Sequence, residues 1–165
     1  MKTVLASLAI VTLALAALAQ DIKPGVLGAD DLKRVVPSVY FFRGQSATVQ
    51  IRNAGGFSGS GGKLVLAALV DTSGYAADVQ AKYQGLLITE IKLSVGGTSL
   101  SPGEYGFGFT KDGKFLVLDV GANDLFKADT QSDDKLTHPV PLRMAADGTS
   151  YRLYAGRKFV TLKPE

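Results

Sequence analysis

The sequence contains no cysteine and no tryptophan, and only one of its 165 residues is a histidine. Without cysteine the chain can form no disulfide and has no thiol nucleophile, so its stability must come from a packed core. A domain of about 150 residues can supply such a core, because it buries roughly two-thirds of the surface that its unfolded chain exposes. An exported protein without disulfides is more typical of bacteria than of eukaryotic secretion.

The single histidine argues against serine–histidine catalysis. His138 lies beside a proline in the turn-like segment Lys135–Pro139, and the sequence contains no nucleophile-elbow motif. Such catalysis requires the histidine to lie between a nucleophile and an orienting carboxylate. We therefore interpret His138 as a surface residue. The sequence does not exclude a hydrolase with two catalytic carboxylates, since such residues come together only in the folded protein. Asp71 and Asp119, at the ends of apolar strands, are candidates for it, although strand-end aspartates also cap loops.

The sequence also lacks a cluster of positive charge. The formal net charge is +3, and only Lys33-Arg34 and Arg157-Lys158 are adjacent cations. A nucleic-acid site normally shows a basic patch on one face. The charge distribution therefore argues against nucleic-acid binding.

The N-terminal residues have the pattern of a secretory signal peptide. A short start containing Lys2 precedes the apolar run Val4–Leu18, and small residues occupy positions 17 and 19 ahead of Gln20. The pattern predicts a signal peptide over residues 1–19. The run is too short for a spanning helix, and no later segment is long and apolar enough to be one. We expect a bacterial periplasmic or secreted protein, with no membrane span after cleavage.

Hairpin signals dominate the mature sequence. The pairs Gly96-Gly97, Asp112-Gly113 and Asp147-Gly148 each separate two apolar segments, as in two-residue hairpin turns. About eight or nine strands joined mostly by hairpins predict a mainly β fold. We expect an antiparallel β-sandwich (jelly-roll-like) or a small barrel with one short internal helix. Residues 20–29 lack periodicity and are predicted to be a flexible N-terminal arm, followed by a single β domain over residues 30–165.

Individual elements are predicted from local patterns. A short helix over residues 30–36 is expected to be capped by aspartate and ended by Pro37. The segments Val39–Arg43 and Ala47–Asn53 have the composition of strands, and the glycine-rich residues 53–62 are predicted to be a mobile loop. The continuous apolar run of residues 63–70 predicts a central strand covered on both faces. Residues 86–95 predict one further strand.

A second helix is predicted over residues 72–85. Tyr75, Val79 and Tyr83 are spaced i, i+4 and i+8, which places them in one apolar stripe. This stripe either packs on the sheet or closes the mouth of a cavity.

The segment EYGFGF at residues 104–109 has an unusual pattern. In an extended chain it places three aromatic rings on one face and two glycines on the other. The bare face either admits a ring or strong curvature within the fold, or forms the floor of a pocket or contact surface. The predicted ligand or partner contact combines this segment with the helical stripe. Its residues are Tyr75, Tyr83, Tyr105, Gly106, Phe107, Gly108 and Phe109.

Residues 119–134 form an acidic segment, and carboxylate oxygens are ligands that calcium prefers. Alternate residues at 129, 131 and 133 have oxygen side chains, but an EF-hand loop would need glycine where Asp134 stands and glutamate where Val140 stands. The segment is therefore predicted to be a solvated loop, with a looser calcium site as the alternative. That site would use Asp124, Asp129, Asp133 and Asp134. No other cofactor is predicted.

Residues 94–109 (SVGGTSLSPGEYGFGF) resemble a pattern from secreted bacterial β-rich proteins of uncharacterised function. In that pattern a strand, a Gly-Gly turn and a short Leu-x-Pro/Ala-Gly-x-Tyr segment lead into the next strand. The resemblance covers about a tenth of the chain. It implies a jelly-roll-like or immunoglobulin-like sandwich and assigns no catalytic residues.

These observations predict an exported, non-catalytic β domain that binds a small apolar ligand or a protein partner. The alternative is a structural subunit of an extracellular or cell-surface assembly. In that case the arm over residues 20–29 would join a neighbour's sheet edge and form an oligomer. A secreted hydrolase is the third hypothesis.

Overall fold

The computed structural model describes residues 22–165, so the predicted signal peptide and cleavage site lie outside the described residues. Within this range the chain is mainly β, as predicted, with two short α-helices. The helices are α1 (Ala29–Val35) and α2 (Ala77–Gln80). The strands are β1 (Gly25–Val26), β2 (Val39–Phe42), β3 (Gln45–Ser58), β4 (Leu64–Val70), β5 (Gly85–Thr89), β6 (Leu93–Val95), β7 (Thr98–Leu100), β8 (Gly103–Phe109), β9 (Lys114–Leu118), β10 (Asp124–Asp129), β11 (Gln131–Ser132), β12 (Arg143–Asp147), β13 (Ser150–Ala155) and β14 (Lys158–Pro164).

The strands form two antiparallel sheets that pack face to face as a β-sandwich. The larger sheet has the order β1-β3-β4-β5-β8-β9-β10, with β2 on β3, and the smaller has the order β12-β13-β14-β6-β7, with β11 on β14. Neither order closes on itself, so the sandwich and not the barrel is observed. Buried apolar side chains from both sheets fill the space between them. They include Phe57, Val65, Leu87, Phe107, Phe115, Leu153 and Leu162.

A third layer covers the other face of the larger sheet. It consists of α1, the β2–β3 hairpin and residues 72–84, and it encloses a second core. The members of this core include Tyr40, Phe42, Leu66, Tyr75, Val79, Tyr83, Leu86 and Leu116. Because the larger sheet is buried on both faces, β4 can be apolar along its whole length. This confirms the predicted central strand.

The three predicted hairpins are confirmed, although only Gly96-Gly97 is the two-residue turn that was predicted: the second turn has three residues, 111–113, and the third consists of residues 148–149. They connect β6 to β7, β8 to β9 and β12 to β13. Each turn contains glycine with a positive φ, for example 96° at Gly97, 77° at Gly113 and 61° at Gly148. A side chain would strain the backbone in this conformation, so local turn chemistry determines where these strands reverse.

The predicted mobile loop over residues 53–62 is wrong in its first half. Residues 53–58 continue β3, and only Ser60–Gly62 forms a short 3-10 turn. A Cβ atom at Gly55 would lie 2.5 Å from the Met144 backbone nitrogen, because β12 crosses β3 there. Glycine in this segment thus permits a close approach of two backbones, which composition alone did not distinguish from loop flexibility.

The predicted helix over residues 72–85 is also wrong. Only one turn, α2, is helical, and Tyr75 and Tyr83 lie outside it. The Asp71 carboxylate accepts a hydrogen bond from the Ser73 backbone N–H at 3.0 Å, and a turn joins the Tyr75 N–H to the Thr72 carbonyl oxygen at 3.0 Å. This turn chemistry competes with helix formation at the start of the segment.

Two other boundaries differ from the predictions. Residues 86–95 form β5 and β6, which belong to different sheets, so the chain crosses between the layers at residues 90–92. The predicted flexible arm is ordered over residues 25–29: β1 pairs with β3, and Leu27 is buried and donates its backbone N–H to the Gly56 carbonyl oxygen at 2.9 Å. Helix α1 is close to its prediction, but Gly28 rather than an aspartate occupies the N-cap.

Candidate functional site

The glycine face of β8 is filled by the protein's own rings and backbone. A Cβ atom at Gly106 would lie 2.5 Å from Cε2 of Phe42. The Phe42 and Tyr83 rings stack above it, with their centroids 3.8 Å apart and their planes 11° apart. Gly106 therefore provides the space in which this ring pair packs against the larger sheet.

Gly108 admits backbone instead of a ring. A Cβ atom at this position would lie 2.0 Å from the Lys82 carbonyl oxygen. Gln84, two residues after Lys82, donates its backbone N–H to the Phe107 carbonyl oxygen at 2.8 Å. Its side-chain amide donates to the Phe109 carbonyl oxygen at 3.1 Å and accepts from the Phe109 N–H at 2.9 Å. Through these three hydrogen bonds, Gln84 pairs with β8 as an additional strand residue would.

The predicted contact residues are consequently mostly core residues. Tyr83 and Phe107 have no exposed surface, and Tyr75 is 6% exposed. Tyr105 and Phe109 are half-buried and pack against the core between the sheets. The seven residues do not form one surface: Tyr75 and Tyr83 belong to the second core, on the glycine face of β8, whereas the three aromatic residues of β8 face the core between the sheets.

Backbone carbonyl oxygens accept hydrogen bonds from the hydroxyl groups of Tyr40 and Tyr75, whereas the buried hydroxyl group of Tyr83 has no hydrogen-bond partner within residues 22–165. Tyr40 donates to the Tyr105 carbonyl oxygen at 3.3 Å, and Tyr75 donates to those of Phe42 and Gln45 at 3.1 and 3.3 Å. Burial raises the pKa of Tyr40 well above its usual range, and the nearby Glu104 carboxylate raises it further. Burial likewise raises the pKa of Tyr83. These hydroxyl groups therefore stay neutral and serve the packing.

The acidic segment does not assemble into a metal site. Asp124 pairs with Lys82 at 2.7 Å, and Asp129 pairs with Lys114. Asp133 accepts a hydrogen bond from the Tyr154 hydroxyl at 3.0 Å, and Asp134 accepts one from the Ser132 hydroxyl at 2.7 Å. Across residues 22–165, no three histidine, aspartate or glutamate side chains are grouped so that they could hold a metal ion. The segment also contains β10, so it is not the loop that its composition predicted.

The two strand-end aspartates cap loops. Asp119 accepts hydrogen bonds from the backbone N–H groups of Gly121 and Asn123, both at 2.9 Å, and from the Asn123 side chain. These bonds, those from Asn123 above all, lower the pKa of Asp119. Bonds from Ser73 lower the pKa of Asp71 in the same way. His138 is exposed. Within residues 22–165 its side chain makes one hydrogen bond, between its Nδ1 atom and the Thr137 hydroxyl at 2.9 Å.

A groove that the sequence did not indicate lies between α1 and a large bulge in β3. Val49 pairs with Val70 and Ala54 pairs with Ala68, so four residues of β3 lie opposite one residue of β4. The bulge is held by the Gln50 side-chain amide, which donates to the Val70 carbonyl oxygen at 3.3 Å and accepts from the Asn53 side chain at 2.8 Å. Bulges often occur next to binding sites, where they redirect side chains.

The groove is mostly apolar and has a volume of about 330 Å³. It is lined by Ala29, Leu32, Lys33, Ile51, Arg52 and Ala54. In a regular strand, consecutive side chains point to opposite faces, yet Ile51 and Arg52 both line the groove. The bulge accounts for this arrangement. Because residues 47–53 alternate as a regular strand would, the sequence contained no signal for it.

A second distinctive surface is the free edge of β2. The two-residue turn at Arg43 and Gly44, with φ of 47° and 80°, makes residues 40 and 42 bond to β3. The backbone groups of Val39 and Phe41 therefore point away from β3, and in residues 22–165 β2 pairs with no other strand. Their side chains are 53% and 62% exposed. At the end of this edge the Arg43 N–H donates to the Val120 carbonyl oxygen at 2.7 Å.

Comparison of the chain with protein-family models, with curated proteins and with solved structures finds no match. Neither helix in residues 22–165 has the length and apolar composition that crossing a membrane requires.

Proposed function

We propose that the protein is an exported, non-catalytic binding domain that takes a small apolar ligand in the groove between α1 and the β3 bulge. The N-terminal sequence pattern supports export. The observation that carries the binding proposal is the groove itself: Leu32, Ile51 and Ala54 form an apolar floor in a concave surface, whereas the glycine face of β8 is filled. Ligand sites are typically concave and mostly apolar, with a few polar groups at defined positions.

The proposal is tested by filling the groove from its solvent side. Ala29 is exposed at the first position of α1 and lines the groove, so Ala29→Phe should occupy it with little effect on the core. The matched control is Ala77→Phe, which places the same ring at the exposed first position of α2. With Nile red as a neutral apolar probe, we expect Ala29→Phe to weaken binding at least tenfold and Ala77→Phe to leave it unchanged. Equal binding by the wild type and both variants, or no binding by any of them, would exclude the groove.

A second candidate function is assembly through β2, which the free edge favours. Unpaired strand edges are usually shielded by charge, proline or a covering segment, whereas this edge presents Val39 and Phe41. Their unpaired backbone groups can hydrogen-bond to an extended strand of another subunit that lies beside β2. The contact with Val120 sets the end of this free edge. Because β1 already pairs with β3 of its own chain, the β2 edge replaces the N-terminal arm as the contact expected for an assembly.

Sedimentation velocity at increasing protein concentration tests this candidate. Assembly through β2 predicts oligomers that Phe41→Lys abolishes. Val140→Lys should retain them, because Val140 is similarly apolar and 41% exposed but lies in the loop before β12 of the smaller sheet. A monomer at every concentration would count against self-assembly.

A further inference from the structure

We infer that the ligand of the groove is a small amphiphilic anion, whose apolar chain lies on Leu32, Ile51 and Ala54 and whose charged head lies between Lys33 and Arg52. This inference rests on the proposed function and specifies the chemistry of the ligand. The charge of the groove, the positions of its cations and its volume support it.

The charge at the groove is positive and mostly unneutralised. Arg52 is exposed and has no salt bridge and no side-chain hydrogen bond to any residue in the range 22–165. Lys33 contacts Asp30 at 3.3 Å, but the two side chains are 67% and 97% exposed, so water screens this pair strongly. No acidic side chain lines the groove. An anionic group entering it would meet two cations without displacing a buried partner.

The position of the cations separates an apolar part from a charged part. Ile51 and Arg52 are neighbours in sequence, and the bulge directs both to the same groove. Leu32 and Lys33 repeat this arrangement on α1: Leu32 is buried against the core, whereas Lys33 is exposed. Each wall therefore presents an aliphatic side chain beside a cationic one. A ligand with one apolar and one anionic part satisfies both walls at once.

The size of the groove indicates a single-chain ligand. Its volume of about 330 Å³ is at the lower end of the range for small-molecule sites, which is roughly 300–1,000 Å³. We therefore assign a free, single-chain amphiphile, such as a monomeric alkyl carboxylate, rather than the two-chain lipids of a membrane surface.

The test compares decanoate with decanol, which have the same chain length but differ in the charge of the head. Both compete with Nile red for the wild-type protein at low ionic strength and below micellar concentrations. We expect decanoate to bind at least tenfold more tightly than decanol, and 0.5 M NaCl to reduce this preference because salt screens exposed charges. Arg52→Gln and Lys33→Gln should each weaken decanoate binding severalfold and leave decanol binding unchanged.

Arg34→Gln is the matched control. Arg34 belongs to α1 and pairs with Asp31 at 3.0 Å, but it does not line the groove. Its removal changes the net charge by the same amount as the other two substitutions, so it should leave the preference for decanoate intact.

The outcomes separate the inference from the proposed function. If decanol binds as tightly as decanoate, and Ala29→Phe abolishes both, the groove is a binding site but the anionic head is wrong. If neither compound nor Nile red binds, the proposed function fails and the inference fails with it. Binding to phosphatidylglycerol vesicles without binding of monomeric decanoate would overturn the assignment to a free ligand.

Discussion

Replacing Gly108 with alanine should destabilise the fold strongly, because its added methyl group has no room. The Cβ atom would lie 2.0 Å from the Lys82 carbonyl oxygen and 2.9 Å from its carbonyl carbon. These are backbone atoms, so no side-chain rotation relieves the overlap, and residues 82–84 must move away from β8. Overpacking of this kind costs about 1–3 kcal/mol.

The displacement should also weaken the three hydrogen bonds between Gln84 and β8. Each contributes about 0.5–1.5 kcal/mol. Together with the overlap, the loss of unfolding free energy should reach roughly 3–5 kcal/mol. In a domain of this size that corresponds to a fall in melting temperature of roughly 6–20 °C.

Thermal and urea unfolding followed by circular dichroism measure this loss. Gly74→Ala is the control, because nothing lies within 4 Å of the added Cβ atom and the backbone there is not left-handed. It should change stability by less than about 1 kcal/mol. If Gly108→Ala unfolds at the same temperature as Gly74→Ala, the glycine face of β8 is open rather than filled, and the predicted contact at that face returns.

Three further predictions concern pH and calcium. Because burial holds the pKa values of Tyr40 and Tyr83 above the value of about 10 that they have in the unfolded chain, the contribution of these tyrosines to stability should be constant below pH 10. Above it, stability should fall by about 1.4 kcal/mol per pH unit for each of the two tyrosines, which urea titrations at pH 8, 10 and 11 would measure. The lowered pKa of Asp119 contributes stability that is present above about pH 4 and lost as the pH falls through its folded value, so Asp119→Asn should flatten the acid side of the melting profile. Added calcium should leave the melting temperature unchanged, since the aspartates of the acidic segment bind separate partners, and a rise would restore the calcium hypothesis.

The parts of the fold that the sequence predicted are those that local chemistry determines. The hairpin turns need glycine in a left-handed conformation, which marks them in any context. The apolar run of β4 and the aromatic side of β8 likewise show which strands have a buried face. From these signals a mainly β, antiparallel fold followed without any long-range information, but only the structure distinguished the sandwich from the barrel.

The errors concern features that depend on residues distant in sequence. Gly55 looks like a loop residue until Met144 is placed against it. The spacing of Tyr75 and Tyr83 fits a helix, but both side chains reach the second core from turns. For the same reason the bare face of β8 could be interpreted in two ways until the positions of Phe42 and Lys82 were known.

The candidate site could not be predicted because a bulge has no local signature here. Residues 47–53 alternate as a regular half-buried strand, so the pattern places Ile51 and Arg52 on opposite faces. Only the pairing with β4 shows that the strand gains residues at this point and turns both side chains towards α1.

The most direct test of the proposed site is a titration of the ¹⁵N-labelled protein, residues 20–165, with decanoate, followed by NMR amide chemical shifts. If decanoate binds in the groove, the largest chemical-shift changes should occur in α1 and in residues 49–54. The amide shifts of residues 105–109 and of Tyr83 should stay unchanged. Changes concentrated in β8, or no changes at saturating decanoate, would contradict it.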